Sequence, residues 1–203
     1  MAKEQARQAV KAVEEADIAV TEAVADHRDH PVVKAAGLLS EIGDQPPLRV
    51  ICAATIATGL LGNDRRLLRA GVRMLAAHSL ATGIKTLIKR SVDRTRPDHA
   101  IDTRYRMERG DSRTHELSSF PSGHTAGAVA VAEATARDYP GAALPLRLGA
   151  AAVAIVQIPR CKHFASDIVV GASIGWIAEK VASATLDRVE HALSSAAAAR
   201  SRS

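Results

Sequence analysis

The chain has 203 residues, a formal net charge of +5, two cysteines and five aromatic residues. This length suits one domain or one compact bundle with a real core. Forty residues are alanine, which favours helix, and no sustained apolar/polar alternation supports a β sandwich or barrel. Cys52 and Cys161 are too few for a disulfide framework and match no zinc-site spacing. The chain is therefore predicted to be all-α.

The charge is unevenly distributed along the chain. Residues 1–30 carry four basic and seven acidic side chains, whereas residues 85–113 carry nine basic and five acidic ones. A nucleic-acid-binding protein typically adds stacking aromatics to a basic face, but Tyr105 is the one aromatic residue of this basic stretch. The pattern favours a localised anionic ligand, with a solvated basic loop as the alternative. No nucleic-acid partner is expected.

Breaks in composition divide the chain into three parts. Residues 1–31 are predicted to form a charged N-terminal arm, amphipathic or partly disordered, without the apolar segment of a signal peptide. Residues 32–186 are predicted to form a helical bundle of about five core helices, and residues 187–203 a flexible tail rich in alanine and serine. The apolar stretches that predict the core helices are 50–61, 74–84, 125–132, 148–159 and 168–178.

These stretches leave membrane insertion open. Each uncharged run has roughly 11–16 residues, fewer than the ~20 that cross a bilayer. Basic residues near their ends, such as Arg69, Arg147 and Lys180, can snorkel and lengthen the effective span. The distribution of lysine and arginine does not set an orientation.

Three clusters of residues suit chemistry on a phosphate group. In the first, Lys89 and Arg96 are seven residues apart and would share a face if one helix contained both, with Pro97 ending it. A lysine and an arginine suit phosphoryl oxygens. Basic residues at a helix end are also ordinary partners of the helix dipole.

The second cluster opens the third apolar helix. Pro121 and Gly123 at a helix start leave backbone N–H groups free for an anion. Ser122 adds a hydroxyl, and His124 follows where it can deliver a proton. An ordinary capped helix with a surface histidine is the alternative.

The third cluster opens the fifth apolar helix. His163 and Asp167 have the i,i+4 spacing with which a carboxylate orients a histidine for attack. The same spacing is also that of a simple helical ion pair. Arg160 precedes His163 by three residues. If the helices alternate in direction, all three clusters lie at one end of the bundle.

In this order the clusters resemble the three-part signature of the type 2 phosphatidic acid phosphatase superfamily, over residues 48–186. That superfamily includes membrane lipid phosphatases, soluble bacterial acid phosphatases and vanadium haloperoxidases. The resemblance implies a helical bundle, transmembrane in the lipid phosphatases, and hydrolysis through a phosphohistidine. It therefore implies neither a metal nor another cofactor.

The resemblance also assigns roles to residues. It implies that His163 is the nucleophile on phosphorus, that Asp167 orients it, and that His124 is the general acid for the leaving alcohol. The implied ligands of the phosphoryl oxygens are Lys89, Arg96, Ser122 and Gly123.

The chain departs from the signature at one place. The family usually has Ser-Arg where this chain has Val156 and Gln157. We expect Arg160 to supply the missing phosphate contact, because the other signature residues are present. Loss of a charge-assisted contact would otherwise cost about 1.5–3 kcal/mol.

The resemblance thus implies a phosphoric monoester hydrolase embedded in a bacterial inner or plasma membrane. Its substrate would be a lipid phosphate or diphosphate, its partners membrane lipids, and its site extracytoplasmic. The alternatives are a soluble acid phosphatase for small organic phosphates and a membrane protein that binds an anionic headgroup without turnover. The sequence assigns neither the individual lipid nor an oligomeric state.

Overall fold

The computed structural model describes residues 1–112 and 114–200, with the side chains of Ala2 and Asp102 outside the description. Eight α-helices dominate this part of the chain, with a two-stranded antiparallel ribbon between α4 and α6. The elements are α1 (Ala2–Ala25), α2 (Pro31–Ser40), α3 (Gln45–Leu61), α4 (Arg65–Lys89), β1 (Asp93–Arg94), α5 (Pro97–Asp102), β2 (Met107–Glu108), α6 (Gly123–Asp138), α7 (Ala143–Ile155) and α8 (Ala165–Arg200).

Short polar side chains start the core helices. The Asp64 carboxylate accepts hydrogen bonds from the N–H groups of Arg66 and Leu67, and so caps α4. Ser122 caps α6 in the same way by accepting from the Thr125 N–H at 3.4 Å. Such caps satisfy N–H groups that have no partner within the helix.

The core lies between α3, α4, α6 and α8 and is built from small side chains. Its buried residues are mostly alanines, with Leu48, Met74, Val131 and Ile174 among the larger ones. A Cβ on Gly175 of α8 would lie 2.4 Å from the Ala126 carbonyl oxygen of α6, so these two backbones are in close contact. The five predicted apolar stretches lie in α3, α4, α6, α7 and α8 or at their ends, which confirms the predicted all-α bundle.

The two ends of the chain are helical as well. Residues 2–25 form α1, of which Asp17 and Thr21 are the buried side chains among those described. Helix α8 continues through residue 187, where the flexible tail was expected to begin, and runs as far as Arg200.

The first cluster is not arranged along one helix, so the condition for a shared helical face is not met. Helix α4 ends at Lys89, and the chain then turns into β1. Pro97 does not end the element that contains Lys89 but starts the short helix α5. A proline favours a first helical turn because its missing N–H is not needed there, so Lys89 and Arg96 reach the site from separate elements.

Large apolar side chains cover much of the outer surface. Leu61, Leu148, Ile155 and Val169 are all more than half exposed. Among the described helices, α8 alone has both the length and the apolar composition of a membrane span.

Candidate active site

Main-chain and side-chain hydrogen bonds bring the three clusters together at one end of the bundle. Lys89 Nζ donates to the Ser118 carbonyl oxygen. Arg96 Nη1 donates to the Lys162 carbonyl oxygen at 3.1 Å. The Ser122 N–H donates to the Asp167 carbonyl oxygen at 3.1 Å, which joins the start of α6 to the start of α8.

His163 and Asp167 face each other in a dry environment. The Asp167 Oδ2 atom lies 3.6 Å from His163 Nδ1, and the two side chains are 0% and 3% exposed, respectively. His163 precedes α8, while Asp167 lies in its first turn. Since Nδ1 faces the carboxylate, Nε2 is the nitrogen that is available for attack on an electrophile.

Three other groups hold the Asp167 carboxylate in place. Oδ2 accepts from the Ser119 hydroxyl at 2.6 Å and from the Phe164 N–H at 2.9 Å. Oδ1 accepts from Arg94 Nη1 at 2.6 Å. A carboxylate with this many donors is fixed in orientation, and so is the histidine edge that it faces.

Burial keeps His163 in its neutral form. Desolvation lowers the pKa of His163 to about 4, because a buried imidazolium loses its hydration, and the nearby cations Arg96 and Lys89 act in the same direction. The Asp167 carboxylate opposes this shift without cancelling it. A neutral imidazole is the form that can act as a nucleophile at neutral pH.

Two of the predicted phosphate ligands are cations with no carboxylate partner among the described residues. Lys89 contacts the Ser118 carbonyl oxygen, and Arg96 Nε donates to the His115 carbonyl oxygen at 2.9 Å.

A third cation near the site, Lys85, was missed by the sequence analysis. Lys85 lies one turn before Lys89 on α4, and its Nζ would be 3.5 Å from a Cβ placed on Gly123. The i,i+4 spacing of the two lysines was the available signal.

The start of α6 has the form predicted for an anion site. Ser122 is fully buried, and its Oγ accepts hydrogen bonds from the Thr125 N–H and the Thr125 hydroxyl, so its own proton is left to donate. Gly123 begins the helix, where N–H groups have no partner within the helix. His124 follows, with Nε2 3.5 Å from Oε2 of Glu41.

Arg160 lies close to His124, but its guanidinium group is already bound. Nη2 donates to Glu41 Oε1 at 2.7 Å, and Nη1 donates to the Ser40 hydroxyl at 2.9 Å. The buried Gln157 amide donates to the same Ser40 hydroxyl at 3.1 Å. Glu41 thus connects Arg160 with His124. A phosphate would therefore compete with this carboxylate for Arg160.

Comparison with protein families agrees with the three-part signature. A family model described as the PAP2 superfamily matches residues 70–189, which is more than half of the chain. The chain belongs to the PAP2 superfamily. This confirms both the superfamily and the predicted class of enzyme, a phosphatase.

Two solved structures share the fold of this PAP2 protein. One is a transmembrane PAP2-type phosphatidylglycerolphosphate phosphatase from Bacillus subtilis, with a TM-score of 0.59, 21% identity and 88% of each chain covered. The other is Aquifex aeolicus LpxE, with a TM-score of 0.56, 20% identity, and 80% of this chain and 91% of that chain covered. No functionally curated protein gave a significant match.

The PAP2 signature does not include all the residues that surround Asp167. Arg94 and Ser119 both donate to its carboxylate, and Asp17 of α1 in turn binds Arg94. Arg94 had a weak signal, because residues two apart in an extended segment lie on one face and Arg96 was already a candidate. Asp17 had no such sequence signal, because a charged residue in a charged helix is ordinarily predicted to be solvent-exposed.

The site also contains ligand atoms that suit a cation. One ligand atom each from Glu41, Asp44 and His124 lie within 4.8 Å of one another. Exposed acidic groups often lie this close without binding an ion. Phosphate release in the presence of the chelator EDTA therefore tests whether the activity needs a metal ion.

Proposed function

We propose that this PAP2 protein is a membrane-embedded phosphohydrolase that removes phosphate from a lipid phosphate or diphosphate through a phosphohistidine at His163. The observation that carries the proposal is the buried, neutral His163, with Nδ1 against Asp167 and uncompensated cations nearby. Phosphoryl transfer depends mainly on positioning and on charge stabilisation, and these residues supply both.

The first step transfers the phosphoryl group to the protein. The lone pair of His163 Nε2 attacks phosphorus, and the bond between phosphorus and the lipid oxygen breaks. His124 gives its proton to that oxygen, so the leaving group departs protonated, as the lipid alcohol from a monophosphate or as the lipid monophosphate from a diphosphate. Lys89, Arg96 and the Gly123 N–H would bind the phosphoryl oxygens.

The second step releases phosphate. A water molecule attacks the phosphohistidine, and His124, now neutral, accepts the proton of that water. The bond between phosphorus and Nε2 breaks, which restores neutral His163 and frees orthophosphate. Asp167 stabilises the positive charge that the imidazole carries while it is phosphorylated.

An apolar groove beside the site supports a lipid substrate. A cavity of about 440 Å³ lies between α3, α4, α6 and α7, with Ile42 and Gly43 at one end and Tyr139 at the other. A Cβ on Gly43 would lie 3.4 Å from the His124 carbonyl oxygen, so this end adjoins the site. Residues 128–139 of α6 and its C-cap span roughly 16 Å at the helical rise, which suits part of an acyl chain.

The outer surface supports a membrane location. Exposed Leu148, Ile155, Val169 and Trp176 would contact lipid tails, and α8 is long and apolar enough to span a bilayer. An extracytoplasmic site in a bacterial inner or plasma membrane is part of this proposal. Labelling of a cysteine introduced at exposed Thr103 with a membrane-impermeant reagent tests that orientation.

The test is phosphate release by purified protein with EDTA present, on long-chain lipid phosphates and on short soluble phosphates. We expect release that survives EDTA, favours lipids and is lost in His163→Ala but not in the exposed His191→Ala control. Ala132→Leu, which fills the groove, should slow hydrolysis of long-chain lipids and spare soluble phosphates. Unchanged release in His163→Ala would refute the phosphohistidine. Phosphate binding without release from any substrate would instead favour a headgroup-binding protein.

A further inference from the structure

Helix α1 places one buried carboxylate against the core of the protein. Most side chains of α1 are exposed, but that of Asp17 is 4% exposed. Its Oδ2 atom accepts a hydrogen bond from Arg94 Nη2 at 2.7 Å, and its Oδ1 atom accepts from the Ser166 N–H at 2.9 Å. Asp17 also hydrogen-bonds to the Ser166 hydroxyl. An N-terminal helix is thereby joined to the residue next to Asp167.

Arg94 lies between two carboxylates. Its side chain is 1% exposed, with Nη2 on Asp17 and Nη1 on Asp167 Oδ1 at 2.6 Å. The guanidinium group stacks over the Phe164 ring at 4.3 Å and lies 5.6 Å from the Tyr105 ring centroid. Burial opposes its charge, but Asp167 and Asp17 outweigh that effect and raise the pKa of Arg94. The single positive charge of Arg94 is thus shared by the carboxylates of Asp17 and Asp167.

We propose that Asp17 is a positioning residue for the nucleophile, acting through Arg94 and Asp167 on His163. It offsets part of the charge of Arg94, so that Asp167 keeps negative charge to stabilise a positively charged imidazole. The inference rests on the proposed role of His163. Under this proposal, helix α1 contributes a residue that affects the electrostatics of the active site.

The argument is one of charge balance. The charged groups that act on His163 are the Asp167 carboxylate, which favours its protonation, and Arg96 and Lys89, which oppose it. Without Asp17, the whole charge of Arg94 falls on Asp167, whose carboxylate then offsets less of the charge of Arg96 and Lys89. Opposite charges within a few ångströms shift a titration by about one pKa unit or more. His163 should then protonate at a lower pH.

A merely structural role for Asp17 makes a different prediction. Asp17 accepts from the N–H of Ser166 in the first turn of α8, so its loss also removes a helix cap. Loss of a cap alone lowers stability but leaves the titration of His163 unchanged in the protein that remains folded. The titration therefore separates the two roles.

The experiment compares Asp17→Asn, Asp17→Ala and Asp17→Glu with Glu15→Gln, an exposed carboxylate on the same helix. Full-length protein labelled with ¹³C-histidine is titrated by NMR in detergent, with His163 assigned from the spectrum of His163→Asn. Steady-state kinetics and thermal unfolding are measured on the same samples. Asp17→Asn keeps the size of the side chain and an oxygen for the Ser166 N–H, so it carries the test if Asp17→Ala folds poorly.

We expect Asp17→Asn and Asp17→Ala to shift the His163 titration and the acid limb of kcat/KM downward by about one pH unit. The kcat should fall about tenfold, as for other supporting groups around an active residue, with little change in KM. Asp17→Glu and Glu15→Gln should titrate like the wild type. An unmoved titration in folded Asp17→Asn overturns the inference, even if activity falls. A titration that moves in a protein without phosphatase activity refutes the proposed function, while the electrostatic link from Asp17 to His163 stands.

Discussion

Gly171 connects helix packing with the geometry of the site. It is buried in α8, one turn after Asp167, and a Cβ there would lie 2.6 Å from the Ser122 carbonyl oxygen. Carbon–oxygen contacts are normally no shorter than about 3.3 Å. In Gly171→Ala, α8 must therefore move away from α6 by roughly 0.7 Å at this point, as judged from that contact distance.

This movement should lower both stability and activity. Overpacking of this kind costs about 1–3 kcal/mol, which corresponds to a Tm about 2–12 °C lower in a protein of this size. The displacement also lengthens the hydrogen bond that the Ser122 N–H donates to the Asp167 carbonyl oxygen, which is 3.1 Å long in the wild type. Since a misplacement near 1 Å can cost about a hundredfold in rate, we expect kcat to fall by at least about tenfold.

The assay is thermal unfolding in detergent together with phosphate release, and Gly83→Ala is the matched control. Gly83 lies in α4, is exposed and would have no atom within 4 Å of a new Cβ. Alanine there should raise stability by up to about 1 kcal/mol, through helix propensity alone. Equal Tm and equal kcat for Gly171→Ala and Gly83→Ala would refute the idea that close contact of the two helices sets the site.

Polar contacts of the site give three further predictions. Ser119→Ala removes the buried hydroxyl that donates to Asp167 at 2.6 Å, so we expect a loss of about 1.5–3 kcal/mol of unfolding free energy and a lower kcat; unchanged thermal unfolding would contradict this. Arg160→Gln should raise KM about tenfold or more. Glu41→Gln should lower KM, because Glu41 competes with phosphate for Arg160. Equal KM values for both variants and the wild type would show that Arg160 does not bind substrate. Burial lowers the pKa of His163 from 6.5 to about 4, so the unfolded chain binds more protons than the folded protein between these two pH values. The free energy of unfolding should therefore fall by on the order of 3 kcal/mol as the pH drops through that window. Chemical unfolding curves of His163→Asn should lack this part of the pH dependence.

The sequence predicted the bundle well because its signals are local. Apolar stretches and turn residues depend on the neighbouring chain alone, and they located the five core helices. Alternation of helix direction then placed the three clusters at one end, although the ribbon and α5 separate α4 from α6. The structure brings Lys89, Arg96, Ser122, His163 and Asp167 together there.

The remaining features depend on tertiary contacts that no local pattern encodes. The separation of Lys89 from Arg96 follows from the ribbon β1–β2, whose strands have only two residues each. Docking of α1 involves the buried carboxylate of Asp17, which resembles its exposed acidic neighbours in sequence. The orientation of Arg160 is set by Glu41, which lies 119 residues away along the chain.

The carbonyl partners of Lys89 and Arg96 have a consequence for inhibition. Both cations are held by neutral main-chain oxygens of residues 115, 118 and 162, and neither has a carboxylate partner in the described part of the chain. A neutral acceptor orients a cation without cancelling its charge, so an arriving anion need not break an ion pair. The same property offers no discrimination between a substrate and a free tetrahedral oxyanion. Orthophosphate released by the protein should therefore compete with the next substrate molecule, and turnover should slow as product accumulates.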